Sequence, residues 1–190
     1  MKVIDHINQA KETMFSFEIL PPLKGKNVQS IFDGIDPLME FNPKFVNVTY
    51  HREEYIYKDR GNGLLEKVSI RKRPGTVGIC AAIMNKYNVD AVPHLICGGF
   101  SKEETENALI DLQFLGIVNV LALRGDPIKT EASCKAVNGG HAYAVDLVKQ
   151  VEDMNNGTYI MDDIKLDPTD FCIGVAGYPE KHFESMNLTT

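Results

Sequence analysis

An α/β fold built on a parallel sheet is what this amino-acid sequence predicts, and three observations carry it. Short apolar runs rich in strand-forming residues recur at 14–19, 45–50, 91–97, 118–123 and 171–176. Stretches with helical periodicity lie between them. Strands as apolar as 118–123 are usually covered on both faces, which is characteristic of parallel sheets. Length and composition agree, since 190 residues with 44% apolar and 24% charged side chains suit one domain over residues 1–190.

The elements follow in order. Pro21 and Pro22 stop the first strand. After Asn27 a helix places Val28, Ile31, Ile35, Leu38 and Met39 on one broad face, and Pro37 is expected to kink or interrupt it. The second strand leads into 51–60 (HREEYIYKDR), a mixed-charge stretch that reads as a solvated connection or a lid over a site. The helix at 76–87 is apolar through Ile79, Ala82 and Ile83 and precedes the third strand. Ser101 to Glu104 reads S-x-x-E, a capping box that satisfies two orphan amides. Behind it Ala108, Leu112 and Leu115 form the expected buried stripe, and Gly116 ends the helix before the fourth strand. In 143–154, Ala144, Leu147, Val148 and Val151 fall at i, i+3, i+4 and i+7, and the fifth strand follows.

An open doubly wound sheet and a (β/α)8 TIM barrel both fit this order. No G-x-G-x-x-G follows the first strand, where a dinucleotide-binding sheet would carry it. Polar residues gather instead at the carboxyl ends of separate strands: Glu18, Thr49, His94, Arg124 with Asp126, and Tyr178. Chemistry distributed over strand ends belongs to the upper face of a barrel. A complete barrel needs about 250 residues, so the expectation is a barrel truncated after about five strands.

Composition excludes several classes. With 20 Lys+Arg against 26 Asp+Glu the net charge is −6, so no nucleic-acid partner is expected. No run of about 18 apolar residues exists, and the N-terminus has no signal-like apolar core, so a cytoplasmic protein without a membrane partner is expected. Cys80, Cys97, Cys134 and Cys172 form no C-x-x-C pair and read as reduced thiols. His94, Cys97, His141 and His182 lack metal-motif spacing, so no metal is expected. The absence of GxSxG, a P-loop and HExxH leaves little support for the corresponding hydrolases.

Four segments carry the candidate chemistry. Glu18 lies among Phe17, Ile19 and Leu20, where poor hydration would raise a carboxyl pKa and suit it to proton donation; a solvent-facing strand-end acid is the alternative. Arg124-Gly125-Asp126 follows a buried strand: Arg124 suits a phosphate or carboxylate, Gly125 admits close backbone approach, and Asp126 can accept from a heterocycle N–H, unless the pair is a turn salt bridge. His94 sits between apolar neighbours, as a ligand contact or a satisfied core residue. Gly177 would clear space for Tyr178 to stack on a flat ring, the alternative being a core Tyr beside a turn proline.

Ser16-Phe17-Glu18 with Pro21-Pro22, Val48-Thr49-Tyr50, Pro93-His94-Leu95, Ala122-Leu123-Arg124-Gly125-Asp126 and Gly177-Tyr178-Pro179-Glu180 occur in that order. The combination, over nearly the whole chain, resembles the methylenetetrahydrofolate reductase family. The resemblance implies an oxidoreductase of one-carbon metabolism: a flavin-dependent barrel in which NADH or NADPH reduces 5,10-methylenetetrahydrofolate to 5-methyltetrahydrofolate by ping-pong hydride transfer. It implies Glu18 as general acid, and Thr49, His94, Arg124, Gly125 and Asp126 as the FAD cradle. Ala144, Tyr178 and His182 match further FAD contacts. Asp126 matches a carboxylate beside the flavin's pyrimidine edge, and both Glu18 and Asp126 would touch the folate. A homo-oligomer is also expected. Two departures stand out: His51 where many members have Gly, and Ile96 in place of a Thr. The alternatives are a non-catalytic half-barrel that needs oligomerisation or a missing C-terminal part, and a cofactor-free lyase with Glu18 as base.

Overall fold

The computed structural model describes every residue except 129–130, 132–134, 161–163, 183–184 and 189–190. Among the described residues, five parallel strands form one sheet: β1 (Phe17–Ile19), β2 (Phe45–Val48), β5 (Asp90–Ile96), β6 (Asn119–Leu123) and β7 (Cys172–Val175), in the spatial order β1-β2-β5-β6-β7. Register pairs Val46 with Ala91, His94 with Leu121 and Ala122 with Val175. The helices between them are α2 (Gln29–Ile35), α3 (Thr76–Tyr87), α4 (Lys102–Phe114) and α5 (Ala144–Asn155). A β/α alternation with an open parallel sheet is a partial barrel, as the strand pattern predicts.

The core lies between the sheet and these helices. Ile83, Leu109, Leu112, Leu147, Val151 and Met154 are fully enclosed against Val48, Ala91, Val120 and Ala122. Each large side chain buried this way contributes about 1.5–3 kcal/mol. The capping box forms as its residues dictate: Ser101 Oγ accepts from Glu104 N at 3.2 Å, and Ser101 N donates to Glu104 Oε2 at 2.8 Å. Gly116, at φ +72°, follows the helix end. The buried stripe is shifted from the expected one, through Thr105, Leu109 and Leu112, while Leu115 is 43% exposed. Leu115 is the C-cap, so its direction follows the turn rather than the helix face.

Two elements depart from expectation, each for a local reason, and one expected break is observed. The first strand begins at Phe17 rather than at residue 14, because β1 pairs only with β2 and its ladder starts at Phe17 opposite Val46. Pro37 interrupts the helix as expected: α2 stops at Ile35 and a 3-10 segment, Asp36–Phe41, continues with the proline at its start, where no N–H is required. The charged stretch at 51–60 is not a loop. Its residues enter an antiparallel hairpin, β3 (Glu54–Asp59) and β4 (Leu65–Ile70), turning through Gly61, Asn62 and Gly63 at positive φ. Cross-strand pairs hold this solvated ribbon, including Arg60–Glu66 at 2.5 Å and Lys67 at 3.7 Å over the Tyr55 ring.

A further helix, α1 (Val3–Gln9), rests at the amino ends of the strands. The Met1 ammonium bonds Asp90 at 2.7 Å, His6 approaches Asp90 at 2.6 Å, and Val3 N donates to Asn119 Oδ1 at 2.8 Å. Asp90 and Asn119 begin β5 and β6, so α1 marks the face opposite the strand ends that matter next. No helix among the described residues is long and apolar enough to cross a membrane.

Candidate functional site

At the carboxyl ends of the strands lies a cleft of about 810 Å³, within the size range of small-molecule sites. Parallel strands all deliver their last residues to the same rim. Glu18 arrives on β1, Thr49 just past β2, His94 on β5, and Gly125 with Asp126 just past β6. Ile19, Leu20, Leu23, Ile96 and Leu123 supply apolar lining.

The His94 side chain is 7% exposed, and its Nε2 has no hydrogen-bond partner among the described residues. Glu18 Oε2 stands 3.6 Å from that nitrogen, too far for a hydrogen bond. Burial pushes the His94 pKa below the usual imidazole value, and the Glu18 charge pulls the other way. The imidazole is therefore neutral at pH 7. Glu18 itself is 59% exposed, so the expected enclosure by Phe17, Ile19 and Leu20 does not occur. In a three-residue edge strand the alternation of side chains turns Glu18 out to the open cleft.

Thr49 is tied to the neighbouring strand: its N–H and Oγ1 both donate to the Ile19 carbonyl, at 3.1 and 3.3 Å. Gly125 adopts φ +85°, and a Cβ there would stand 3.2 Å from Ile96 Cβ. The turn thus requires glycine, and the Ile96 side chain backs it closely. Asp126 is exposed at the rim. Partial desolvation and then the Arg73 charge lower the His51 pKa, with Asp126 opposing them.

The remaining candidates lie elsewhere. The Arg124 guanidinium carbon sits 5.3 Å from the Tyr143 ring centroid, beside Ala144 at the start of α5, on a flank adjoining the cleft. Tyr178 is 58% exposed beyond β7 and meets His182 edge-on, with ring centroids 5.0 Å apart. Neither belongs to the cleft lining. A Cβ on Gly177 would meet nothing within 4 Å, so that glycine clears no space here. Among the described residues no group of three or more His, Cys, Asp or Glu side chains could hold a metal ion. His141 is instead buried against Gln150, at 2.5 Å. Cys80 and Cys172 are free thiols, Cys97 Sγ donates to the Leu123 carbonyl at 3.4 Å, and Cys134 lies outside the described residues.

One wall of the cleft has no counterpart in the strand-end pattern. His51, Arg52, Glu54, Lys72 and Arg73, from the two feet of the β3–β4 hairpin, line it. Arg52 pairs with Glu131, joining the hairpin to the segment after β6. The run Arg71-Lys72-Arg73 was the available signal, but without the hairpin nothing in the sequence directs it to the cleft.

A partial (β/α) barrel with polar side chains from four strand ends around one cleft is the architecture of a barrel enzyme. Residues 2–190 match the family model described as methylenetetrahydrofolate reductase. The chain belongs to that family, whose fold is the TIM barrel. It is 33% identical over 185 residues to a methylenetetrahydrofolate reductase (NADH) of Arabidopsis thaliana, covering 96% of this chain and 26% of the relative. A Schizosaccharomyces pombe methylenetetrahydrofolate reductase is 33% identical, covering 95% and 26%. A Buchnera aphidicola 5,10-methylenetetrahydrofolate reductase is 29% identical, covering 95% and 50%. The chain thus spans about a quarter of the plant and fungal relatives and half of the bacterial one.

Proposed function

We propose that this chain supplies the flavin- and folate-binding strand ends of an NAD(P)H-dependent methylenetetrahydrofolate reductase, with Glu18 as general acid. The observation that carries this reading is the convergence of Glu18, Thr49, His94, Gly125 and Asp126 on one cleft. The residues fit FAD: a glycine turn at positive φ backed closely by Ile96, apolar Leu20 and Leu123, and a cation over an aromatic ring on the flank. Thr49, His94, Arg124, Gly125 and Asp126 would hold it, with Ala144, Tyr178 and His182 as outer contacts. When bound, FAD supplies hydride exchange between the nicotinamide nucleotide and the folate.

Glu18 does the proton work. Its carboxyl is open to the cleft, so a substrate nitrogen can reach it. A neutral His94 at 3.6 Å forms no salt bridge with it, which leaves Glu18 available to protonate the nitrogen that departs as the methylene bridge opens. Asp126 places negative charge at the rim and favours the cationic folate formed on that opening.

Stopped-flow measurement of the two half-reactions tests this in the full-length, flavin-loaded protein. Glu18→Gln should leave bleaching by NAD(P)H intact and slow reoxidation by methylenetetrahydrofolate by roughly 10²–10⁴-fold, the range for a lost general acid. Equal loss in both half-reactions would refute the role.

A further inference from the structure

We propose that Lys72 and Arg73, at the exit of the β3–β4 hairpin, form a seat for the glutamate carboxylates of the folate. The inference rests on the reading of the cleft as a folate site and adds the group that holds the substrate's far end.

The argument begins with how the hairpin is fastened. The Arg73 guanidinium donates to the carbonyl of Pro21, and Lys24 N donates to the carbonyl of Lys72 at 2.8 Å. The segment that leaves β1 is thereby stapled to the hairpin exit. Along β1 and the segment that leaves it, the cleft lining runs from a carboxylate (Glu18) to apolar side chains (Leu20, Leu23), with two cations fastened beside Pro21 and Lys24. From Glu18 to Pro21 is three residues, a span of at most about 10 Å.

A folate has the same order of chemistry. Its basic heterocycle meets the acid, its aminobenzoyl ring can lie on the apolar strip, and its glutamate ends in carboxylates. A nicotinamide dinucleotide does not match, because a ribose and a charged pyrophosphate follow its ring directly, where the wall is apolar. Arg73 presents a planar fork suited to a carboxylate and gives only one of its five donors to Pro21 in that contact. Lys72 is 46% exposed; its contact with Glu54 at 2.6 Å engages one of three donors. The Arg73 charge also reaches into the cleft, where, after desolvation, it is the second cause holding down the pKa of His51.

Calorimetric titration of the full-length protein separates this seat from the rest of the site. The two probes are 5-methyltetrahydrofolate and 5-methyltetrahydropteroate, which lacks the glutamate. Lys72→Gln and Arg73→Gln should each weaken binding of the first by about three- to tenfold, the range for a half-exposed charged hydrogen bond, and leave the second unchanged. Arg73→Lys, which keeps the charge and a donor for Pro21, should retain most of the preference for the glutamate-bearing probe and guards against misfolding. Equal weakening of both probes, or of neither, overturns the seat while the folate reading stands. If the unsubstituted protein binds neither probe, the folate reading itself falls, and the seat with it.

Discussion

Gly125→Ala offers the sharpest test of the site's construction. A residue with a side chain at φ +85° costs about 1–3 kcal/mol in backbone strain. The added Cβ would also stand 3.2 Å from Ile96 Cβ and 3.5 Å from its Cγ2 and Cδ1. Ile96 is buried and β-branched, so it yields little, and such overpacking adds about 1–2 kcal/mol. The sum is about 2–5 kcal/mol, a large fraction of the 5–15 kcal/mol typical of a domain. Urea unfolding followed by circular dichroism should show the midpoint falling with the slope unchanged. Gly177→Ala is the internal control. Gly177 lies outside the left-handed region and its Cβ would meet nothing, so the expected change is within about 0.5 kcal/mol or a slight gain. Equal losses at the two glycines would refute the claim that backbone geometry, rather than glycine content, shapes this rim.

Two more outcomes follow from the surroundings of four polar side chains. His94 and His51 both have folded-state pKa values below the ordinary imidazole value of 6.5, so the unfolded chain binds more protons than the folded one below that pH. Their contribution is complete above pH 6.5 and is lost as pH falls toward the folded values; urea midpoints should drop between pH 7 and 5, and His94→Gln should flatten that decline. A midpoint that rises on acidification would contradict the sign. Gln150 donates to the Lys102 carbonyl at 2.8 Å, so its oxygen must accept from His141 Nε2. His141→Leu and Gln150→Leu should each cost about 1–3 kcal/mol by orphaning the partner, and the double variant less than their sum. Additive losses in chemical unfolding would exclude the pairing.

The strand–helix alternation, the capping box at Ser101 and the helix stop at Gly116 were legible in the chain because each depends on neighbours within a few residues. So were the residues that end the strands: parallel strands run in one direction, and five of the candidates reach a common rim without any long-range information. What tertiary structure alone decided was of another kind. Glu18 is open to solvent because β1 is a short edge strand, and Tyr178, exposed beyond β7, lies outside the cleft lining. Lys72 and Arg73 reach the site because a solvated hairpin, masked by its charges, folds back and bonds to Pro21 and the segment after it. Periodicity reports which face of an element is apolar. Which elements become neighbours, and hence which charges meet across a cleft, depends on contacts between residues some fifty positions apart, as with Pro21 and Arg73, and no local pattern encodes them.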